Sequence, residues 1–145
     1  MEILEEFQKK FNIEELKIYE TKHWIWSLRP NQATLGSGVL SLKRECATFG
    51  ELKPEEYSDL NNIVKVIENT LKNSFDYDII NYLMLMMVDK HVHYHIIPRY
   101  RRQINLFNFL WLDKGWPGLP NLSGESMDIT NLQEINTYIQ NNINK

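Results

Sequence analysis

Three histidines alternate with apolar or aromatic residues in the segment "DKHVHYHIIPRY", residues 89–100. The whole sequence has four histidines, and His91, His93 and His95 are three of them. Successive side chains of a β-strand point to opposite faces, so the three imidazoles would share one face and lie about 6.5 Å apart along the strand. The residues between them would pack into a core. The pattern therefore predicts a strand with one chemically reactive face.

A row of imidazoles supports two kinds of chemistry. Near neutral pH imidazole exists in both protonation states, so a neutral central histidine can attack an electrophile while its neighbours orient it and donate hydrogen bonds. Phosphorus is a suitable target, because cationic donors stabilise its negative oxygens. Alternatively, two or three of the imidazoles could hold a metal ion. Carboxylates near the motif are scarce and the sequence has no second histidine cluster, which argues against a metal site. A purely structural role for the three histidines is the third interpretation.

The composition is that of a soluble protein able to form one compact domain. The 145 residues are 43% hydrophobic and 24% charged, and a net charge of −3 without a basic block argues against an extended nucleic-acid surface. Cys46 is alone, so no internal disulfide can form. No apolar run reaches the roughly 18 residues of a membrane span, and the N-terminus is too charged for a signal peptide. We expect a cytoplasmic protein with a single domain over residues 1–145.

Hydrophobic periodicity predicts several elements around the histidine strand. Apolar residues at helical spacing predict a short N-terminal helix, and residues 53–73 predict a long central helix that begins near Pro54. A last helix would begin at a capping box formed by Thr130 and Gln133. Aromatic and β-branched residues predict three early strands, at 16–21, 23–30 and 38–43.

The segment before the histidines, residues 78–88, is mostly apolar and predicts a strand buried on both faces that forms a hairpin with the histidine strand. Residues 103–126 are rich in Trp, Gly and Pro and predict irregular structure, in which residues 109–120 form a flap over the site or part of a subunit contact. Trp24 and Trp26 share one strand face, where core packing or a subunit contact is favoured over stacking on a nucleobase. Together the elements predict an α+β fold with about five strands in a mainly antiparallel sheet, one central helix and two terminal helices.

Two segments resemble the histidine triad (HIT) family. The stretch "HVHYHII" fits the family's His-x-His-x-His-x-x signature, with each x apolar or aromatic, and the following "PRY" resembles its usual continuation. Upstream, "LGSGVLSLKRECATFGELKPEEYSDL" is similar to the family's strand, turn and helix segment. The resemblance covers roughly residues 24–101 and leaves the terminal helices and the Trp-rich segment outside it.

The resemblance implies an α+β half-barrel, commonly a homodimer with a sheet running across the interface, that requires no metal or other cofactor. It also implies hydrolysis or transfer at the α-phosphorus of a small nucleotide, such as a nucleoside phosphoramidate or a dinucleoside polyphosphate. His93 is then the nucleophile that forms a covalent nucleotidyl-histidine. His91 belongs to the network that fixes the tautomer of His93, and His95 contacts phosphate oxygens.

The sequence departs from the family pattern at two places. Many relatives have a Gly-Gln-Ser or Gly-Gln-Thr run before the first histidine that binds phosphate, but residues 83–90, "LMLMMVDK", lack it, and Asn81 is the nearest polar candidate to contact ribose or phosphate. Many relatives also have a histidine after a basic pair, where this chain has Glu45, and Lys43 is a candidate to neutralise phosphate. These differences leave open a second interpretation, a nucleotide-binding or scaffolding module with little turnover.

Overall fold

In the computed structural model, which describes residues 2–124 and 126–145, three α-helices and seven β-strands follow one another along the described chain. In chain order they are α1 (Glu2–Lys10), β1 (Lys17–Glu20), β2 (Trp24–Leu28), β3 (Gly38–Leu42), α2 (Pro54–Phe75), β4 (Ile79–Leu83), β5 (His93–Arg99), β6 (Ile104–Leu106), β7 (Phe109–Trp111) and α3 (Ile129–Gln140). A short 3₁₀ helix, Phe49–Glu51, precedes α2. Within the described ranges no helix has the length and apolar composition of a membrane span.

Five strands form one antiparallel sheet in the order β1-β2-β3-β5-β4. The histidine strand β5 therefore lies inside the sheet, between β3 and β4. Ser41 pairs with His93 and Val39 pairs with His95, and this register determines which side chains share a face. The predicted α+β fold with a five-stranded antiparallel sheet is confirmed.

The two faces of the sheet bury different clusters. Helix α2 places Ile63, Ile67 and Leu71 on one side, and all three are fully buried. They share a core with Val92, which precedes β5, and with one face of the sheet, which contributes Trp24, Trp26, Leu40 and Ile96. The opposite face forms a smaller cluster with α1 and the residues after it: Phe7, Phe11, Ile13, Ile25 and Val39. Strand β5 thus directs apolar side chains to the α2 side and its imidazoles to the α1 side.

The two early tryptophans belong to the core. Trp24 and Trp26 are both fully buried in the core, which is one of the two roles that the sequence favoured over stacking on a nucleobase. The indole N–H of Trp24 donates to the carbonyl of Glu56 at 2.8 Å and so ties β2 to the first turn of α2.

The prediction of a strand buried on both faces at residues 78–88 is wrong. Strand β4 is shorter, lies at the edge of the sheet, and has exposed or half-buried residues throughout. In the loop that follows it, Met87 and Val88 are each 80% exposed. An apolar run does not by itself distinguish a central strand from an exposed edge strand, because hydrophobicity alone carries no information about pairing. The predicted hairpin with the histidine strand does form, since β4 pairs with β5.

Two smaller predictions are also wrong. Thr130 does not cap the last helix, because α3 begins at Ile129 and its cap residue Asp128 makes no side-chain capping hydrogen bond. Residues 103–126 are also not wholly irregular, because β6 and β7 form a hairpin. Its two turn residues, Phe107 and Asn108, have positive φ angles of 59° and 62°. A two-residue turn with positive φ usually contains glycine. The sequence has none here, so it did not predict the hairpin.

Candidate active site at the three histidines

All three imidazoles are buried beneath α1. His91 is fully buried, and the exposed fractions of His93 and His95 are 1% and 8%. His93 and His95 belong to β5, whereas His91 lies two residues before the strand begins. The ring of Phe7 contacts both His91 and His93, with centroid distances of 5.1 and 4.8 Å, so these two imidazoles lie on the same side of the chain.

The hydrogen bonds of His91 determine its tautomer. The backbone N–H of Cys46 donates to Nδ1 of His91 at 3.3 Å, so Nδ1 carries a lone pair. Its Nε2 lies 2.7 Å from the carbonyl oxygen of Leu42, which can only accept, so Nε2 carries the proton. Burial lowers the pKa of His91, which favours this neutral form. Both nitrogens are therefore committed to the backbone, and His91 acts as a fixed support.

His93 is held in the complementary tautomer. Its Nδ1 lies 2.6 Å from the carbonyl oxygen of His91, and because a carbonyl only accepts, the proton of the neutral ring lies on Nδ1. The lone pair of the ring is then on Nε2. Burial lowers the pKa of His93, which disfavours protonation of that lone pair near neutral pH. His93 therefore has the tautomer and the charge state of a nucleophile.

His95 lies beside the ring of His93 and has a ring nitrogen without a hydrogen-bond partner among the described residues. Its ring packs edge-on against His93, with a centroid distance of 5.0 Å. Burial, then the positive charge of Arg29 and the neighbouring His93, lower the pKa of His95 to about 4. Its Nδ1 atom is buried and has no hydrogen-bond partner among the described residues. His95 is thus a neutral imidazole available to bind a ligand.

Helix α1 and Phe11, the residue that follows it, supply the apolar cover of the site, which sequence reasoning missed. Phe7 packs on the first two imidazoles, and Phe11 lies 5.9 Å from His93 and 5.9 Å from His95 by ring centroid. In the first turn of α1, the N–H of Leu4 donates to the Glu45 carboxylate at 2.9 Å. A negative charge is favourable at this position, because the N-terminus of a helix carries a partial positive charge. The sequence did predict an N-terminal helix with an apolar face that includes Phe7 and Phe11. It did not indicate which part of the protein that face packs against.

A cavity of about 270 Å³ opens beside His93 and His95. Its other lining comes from the C-terminal end of α1, from the loop at residues 85–89 and from Arg29. Lys10 and Asp89 form an ion pair at 2.9 Å between α1 and this loop. Arg29, which follows β2, is the site residue that the sequence did not reveal. A larger cavity of about 360 Å³ near β7 contains none of the three histidines.

The remaining sequence candidates lie apart from this cavity. The side-chain oxygen of Asn81 accepts a hydrogen bond from Arg99 at 2.9 Å, and Arg99 also forms a buried ion pair with Asp113 at 2.7 Å. Lys43 pairs with Glu20 at 2.8 Å. The structure therefore brings the three histidines together, whereas Asn81 and Lys43 do not line the cavity beside them.

The geometry offers little to a metal ion. In the part of the chain that the structure describes, no group of three or more His, Cys, Asp or Glu side chains is arranged to hold one. His91 has both ring nitrogens in hydrogen bonds, and His93 has one nitrogen bonded to a carbonyl. Ligation by all three imidazoles would break a hydrogen bond of His91, whereas His93 would keep its bond to the carbonyl and ligate through Nε2.

Comparison with known proteins identifies the same region. The model of the HIT domain family matches residues 10–102, which include all three histidines. No curated protein sequence matches the chain at a significant level.

Solved structures share the fold at low sequence identity. A histidine triad (HIT) protein from Sinorhizobium meliloti is 19% identical, with a TM-score of 0.70 over 91% of this chain and 93% of its own. A hypothetical histidine triad nucleotide-binding protein from Sulfolobus tokodaii is 17% identical, with a TM-score of 0.68 over 88% and 82%. The diadenosine triphosphate hydrolase of Plasmodium falciparum is 16% identical, with a TM-score of 0.67 over 88% and 76%.

Proposed function

This chain belongs to the HIT family, and we propose that it is a nucleotide hydrolase or nucleotidyl transferase that reacts at the α-phosphorus of its substrate. His93 is the proposed nucleophile, His91 orients it, and His95 contacts the phosphate oxygens. The proposed substrates are nucleoside phosphoramidates, dinucleoside polyphosphates or related nucleotides. The family includes nucleotide hydrolases, and one structural neighbour is a diadenosine triphosphate hydrolase.

The observation that carries this proposal is the hydrogen bond from His93 Nδ1 to the His91 carbonyl, at 2.6 Å. It leaves the Nε2 lone pair on the ring atom opposite the anchored nitrogen, in a residue that lines the cavity. In the first step Nε2 forms a bond to the α-phosphorus, and the bond from phosphorus to the leaving group breaks. The leaving group takes that electron pair and a proton from solvent. Water or another acceptor then attacks the phosphorus, releases His93 and yields the nucleoside monophosphate or its transfer product.

The environment of His93 supports this role. A nucleophilic imidazole must be unprotonated at the working pH, and burial under Phe7 and Phe11 lowers the pKa of His93. Removal of water also strengthens the electrostatic interactions of nearby charges with a bound phosphate.

The test is intact-protein mass spectrometry after rapid quenching at neutral pH. The protein is mixed with an adenosine phosphoramidate and, separately, with a dinucleoside polyphosphate. We expect an acid-labile adduct of one nucleoside monophosphate on the wild-type protein and none on His93→Ala. Full turnover by His93→Ala would refute the nucleophile assignment. The substrate that forms the adduct faster indicates the leaving group.

A second candidate is a nucleotide-binding module with little turnover. The loop before the histidines favours it, because its residues 84–88 are apolar, so their side chains offer no hydrogen-bond donors to phosphate. This alternative predicts micromolar nucleotide affinity, about −8 kcal/mol, without an adduct or product in the same experiment.

We also propose that two copies associate through the β4 edge. The outer side of β4 has no strand partner among the described residues, and an apolar surface accompanies it, with Ile79 and Leu85 about half exposed and Met87 and Val88 80% exposed. A long exposed apolar edge favours pairing with another chain, and a second copy of the same edge can satisfy it by symmetry. Sedimentation of the purified protein measures the oligomeric state directly, and a monomer at micromolar concentration would contradict the proposal.

A further inference from the structure

Arg29 differs from the other arginines because it has no carboxylate partner among the residues that the structure describes. The other four each have a carboxylate oxygen within 3.8 Å: Arg44 with Glu56, Arg99 with Asp113, and Arg101 and Arg102 with Asp78. Nε of Arg29 is buried and has no hydrogen-bond partner in the described chain. Burial also lowers the pKa of Arg29. The guanidinium is half-buried, and its Nη1 donates to the backbone carbonyls of Asn31 and Leu122 at 3.3 Å. Because carbonyls do not neutralise its charge, a bound anion would be favourable beside it.

The strand register directs Arg29 to the face of the histidines. Ser27, Val39 and His95 align across β2, β3 and β5. Arg29 lies two residues after Ser27, and its backbone N–H continues the ladder with a 2.9 Å hydrogen bond to the carbonyl of Ser37. Alternation along the strand therefore places the Arg29 side chain on the same face, and it lines the cavity beside His93 and His95.

His95 provides an independent observation at the same cavity. It is 8% exposed, and its Nδ1 is a second buried polar atom without a partner among the described residues. Buried polar atoms are nearly always hydrogen-bonded, and exceptions often mark a functional site. Here two of them, one from a cation and one from a neutral imidazole, share a cavity with the free lone pair of His93.

The second cation of the cavity is already neutralised. Lys10 forms two contacts to the carboxylate of Asp89, at 2.9 and 3.0 Å. An anion entering this cavity could therefore pair with Arg29 without breaking an ion pair of the described residues. The planar guanidinium also suits phosphate, because its N–H groups can donate to two oxygens at once.

We infer that Arg29 binds the phosphate oxygens of the substrate beside His93 and His95, in place of the polar run that residues 83–90 lack. This inference rests on the proposed function, since it takes the substrate to be a nucleotide. It also selects among the candidates. A half-buried cation beside the reactive histidine favours substrates with a charged phosphate chain over those whose leaving group is neutral, so dinucleoside polyphosphates are preferred to phosphoramidates.

The test compares the binding of adenosine, AMP and ADP by calorimetry. Loss of a charge-assisted hydrogen bond corresponds to roughly a 10- to 100-fold loss of affinity. We expect Arg29→Gln to weaken AMP and ADP by that factor and to leave adenosine unchanged. Arg29→Lys, which keeps the charge but loses the planar fork, should recover part of the loss. Wild-type affinity of Arg29→Gln for ADP would overturn the inference, and so would an equal loss for adenosine and ADP.

A matched control separates phosphate binding from a structural role. Arg29 Nη1 donates to the carbonyl of Leu122 at 3.3 Å, and so helps to hold the segment after β7. Asn31 holds the same segment through a 2.8 Å hydrogen bond to the carbonyl of Gly124. Asn31→Ala therefore loosens this attachment without removing the cation, and we expect it to bind ADP like the wild type. A loss as large as that of Arg29→Gln would overturn the inference.

Histidine NMR adds a readout that tethering does not affect. The charge of Arg29 contributes to the low pKa of His95, so Arg29→Gln should raise that pKa and Asn31→Ala should not. The inference and the proposed function fail separately. An adduct on His93 with unchanged ADP affinity in Arg29→Gln refutes the inference alone. Weakened ADP binding in that variant, without any adduct in the wild type, refutes only nucleotidyl transfer.

Discussion

Lowering the pH from 7 to 5 should destabilise the fold, because its buried histidines resist protonation. Burial, Arg29 and the neighbouring His93 lower the pKa of His95 to about 4, whereas an unfolded chain has a histidine pKa of about 6.5. Between these values the unfolded state binds the proton and the folded state does not. The stability that His95 contributes is therefore fully present above pH 6.5 and is lost as the pH falls toward 4.

The expected loss follows from the difference in pKa. One pKa unit is worth about 1.4 kcal/mol, so His95 contributes roughly 3 kcal/mol in full, of which about 2 kcal/mol is lost between pH 7 and pH 5. Burial also lowers the pKa values of His91 and His93, which add to the loss with the same sign. Glu20 titrates outside this range, because hydrogen bonds from Lys43 and Lys17 lower its pKa to about 2.

Urea unfolding at pH 7 and pH 5, at constant ionic strength, measures this difference. The wild type should lose at least about 2 kcal/mol of unfolding free energy between the two conditions. His95→Asn should lose about 2 kcal/mol less than the wild type, and His23→Asn, outside the cluster, should behave like the wild type. Equal stability of the wild type at both pH values would refute the reasoning, and an unchanged loss in His95→Asn would refute its assignment to His95.

Three further predictions concern the cover, the core and the edge of the molecule. Phe7→Ala removes a buried ring from the histidines, so it should cost about 3 kcal/mol of unfolding free energy and raise the pKa of His93 in NMR titration, whereas Ile3→Ala, on an exposed residue of the same helix, should change neither. Asp113→Ala leaves Arg99 buried without its carboxylate, which should cost about 3–5 kcal/mol in urea unfolding. Met87→Lys places a charge in the exposed loop that follows β4, so sedimentation should show more monomer than in the wild type.

The histidine pattern predicted much of the site because its information is local. Alternation along one strand determined which side chains of β5 face the core and which face α1, and no distant contact could change that. The buried face of α2 was predictable for the same reason, because apolar residues at helical spacing lie on one side of a helix. In contrast, the role of residues 78–88 depended on whether another strand lies beyond β4, and composition contains no such information.

The roles of Arg29 and α1 were missed because they depend on strand pairing and on packing between elements that are distant in the sequence. The sequence predicted Arg29 only as part of an early strand, residues 23–30, and the alignment of β2, β3 and β5 is what shows that it lies beside His95. Phe7 and Phe11 were predicted to share one apolar helical face, but the sequence did not indicate that this face packs on the histidines. Asn81 and Lys43 were candidates for substrate binding because they lie in segments that resemble the family. In the structure, Asn81 accepts a hydrogen bond from Arg99 and Lys43 pairs with Glu20.

Under the proposed function, Arg29, His93 and His95 would have different tasks. The hydrogen bond from Nδ1 of His93 to the backbone carbonyl of His91 keeps the lone pair of the ring on Nε2. His95 has no such anchor among the described residues, and the charge of Arg29 is one cause of its low pKa. A phosphate bound to Arg29 would neutralise that charge and bring negative oxygens to the imidazole, and both effects favour protonation of His95. Under the proposed function, His95 would then become a donor to the phosphate only when a substrate is bound, while His93 would keep the unprotonated Nε2 that a nucleophile requires.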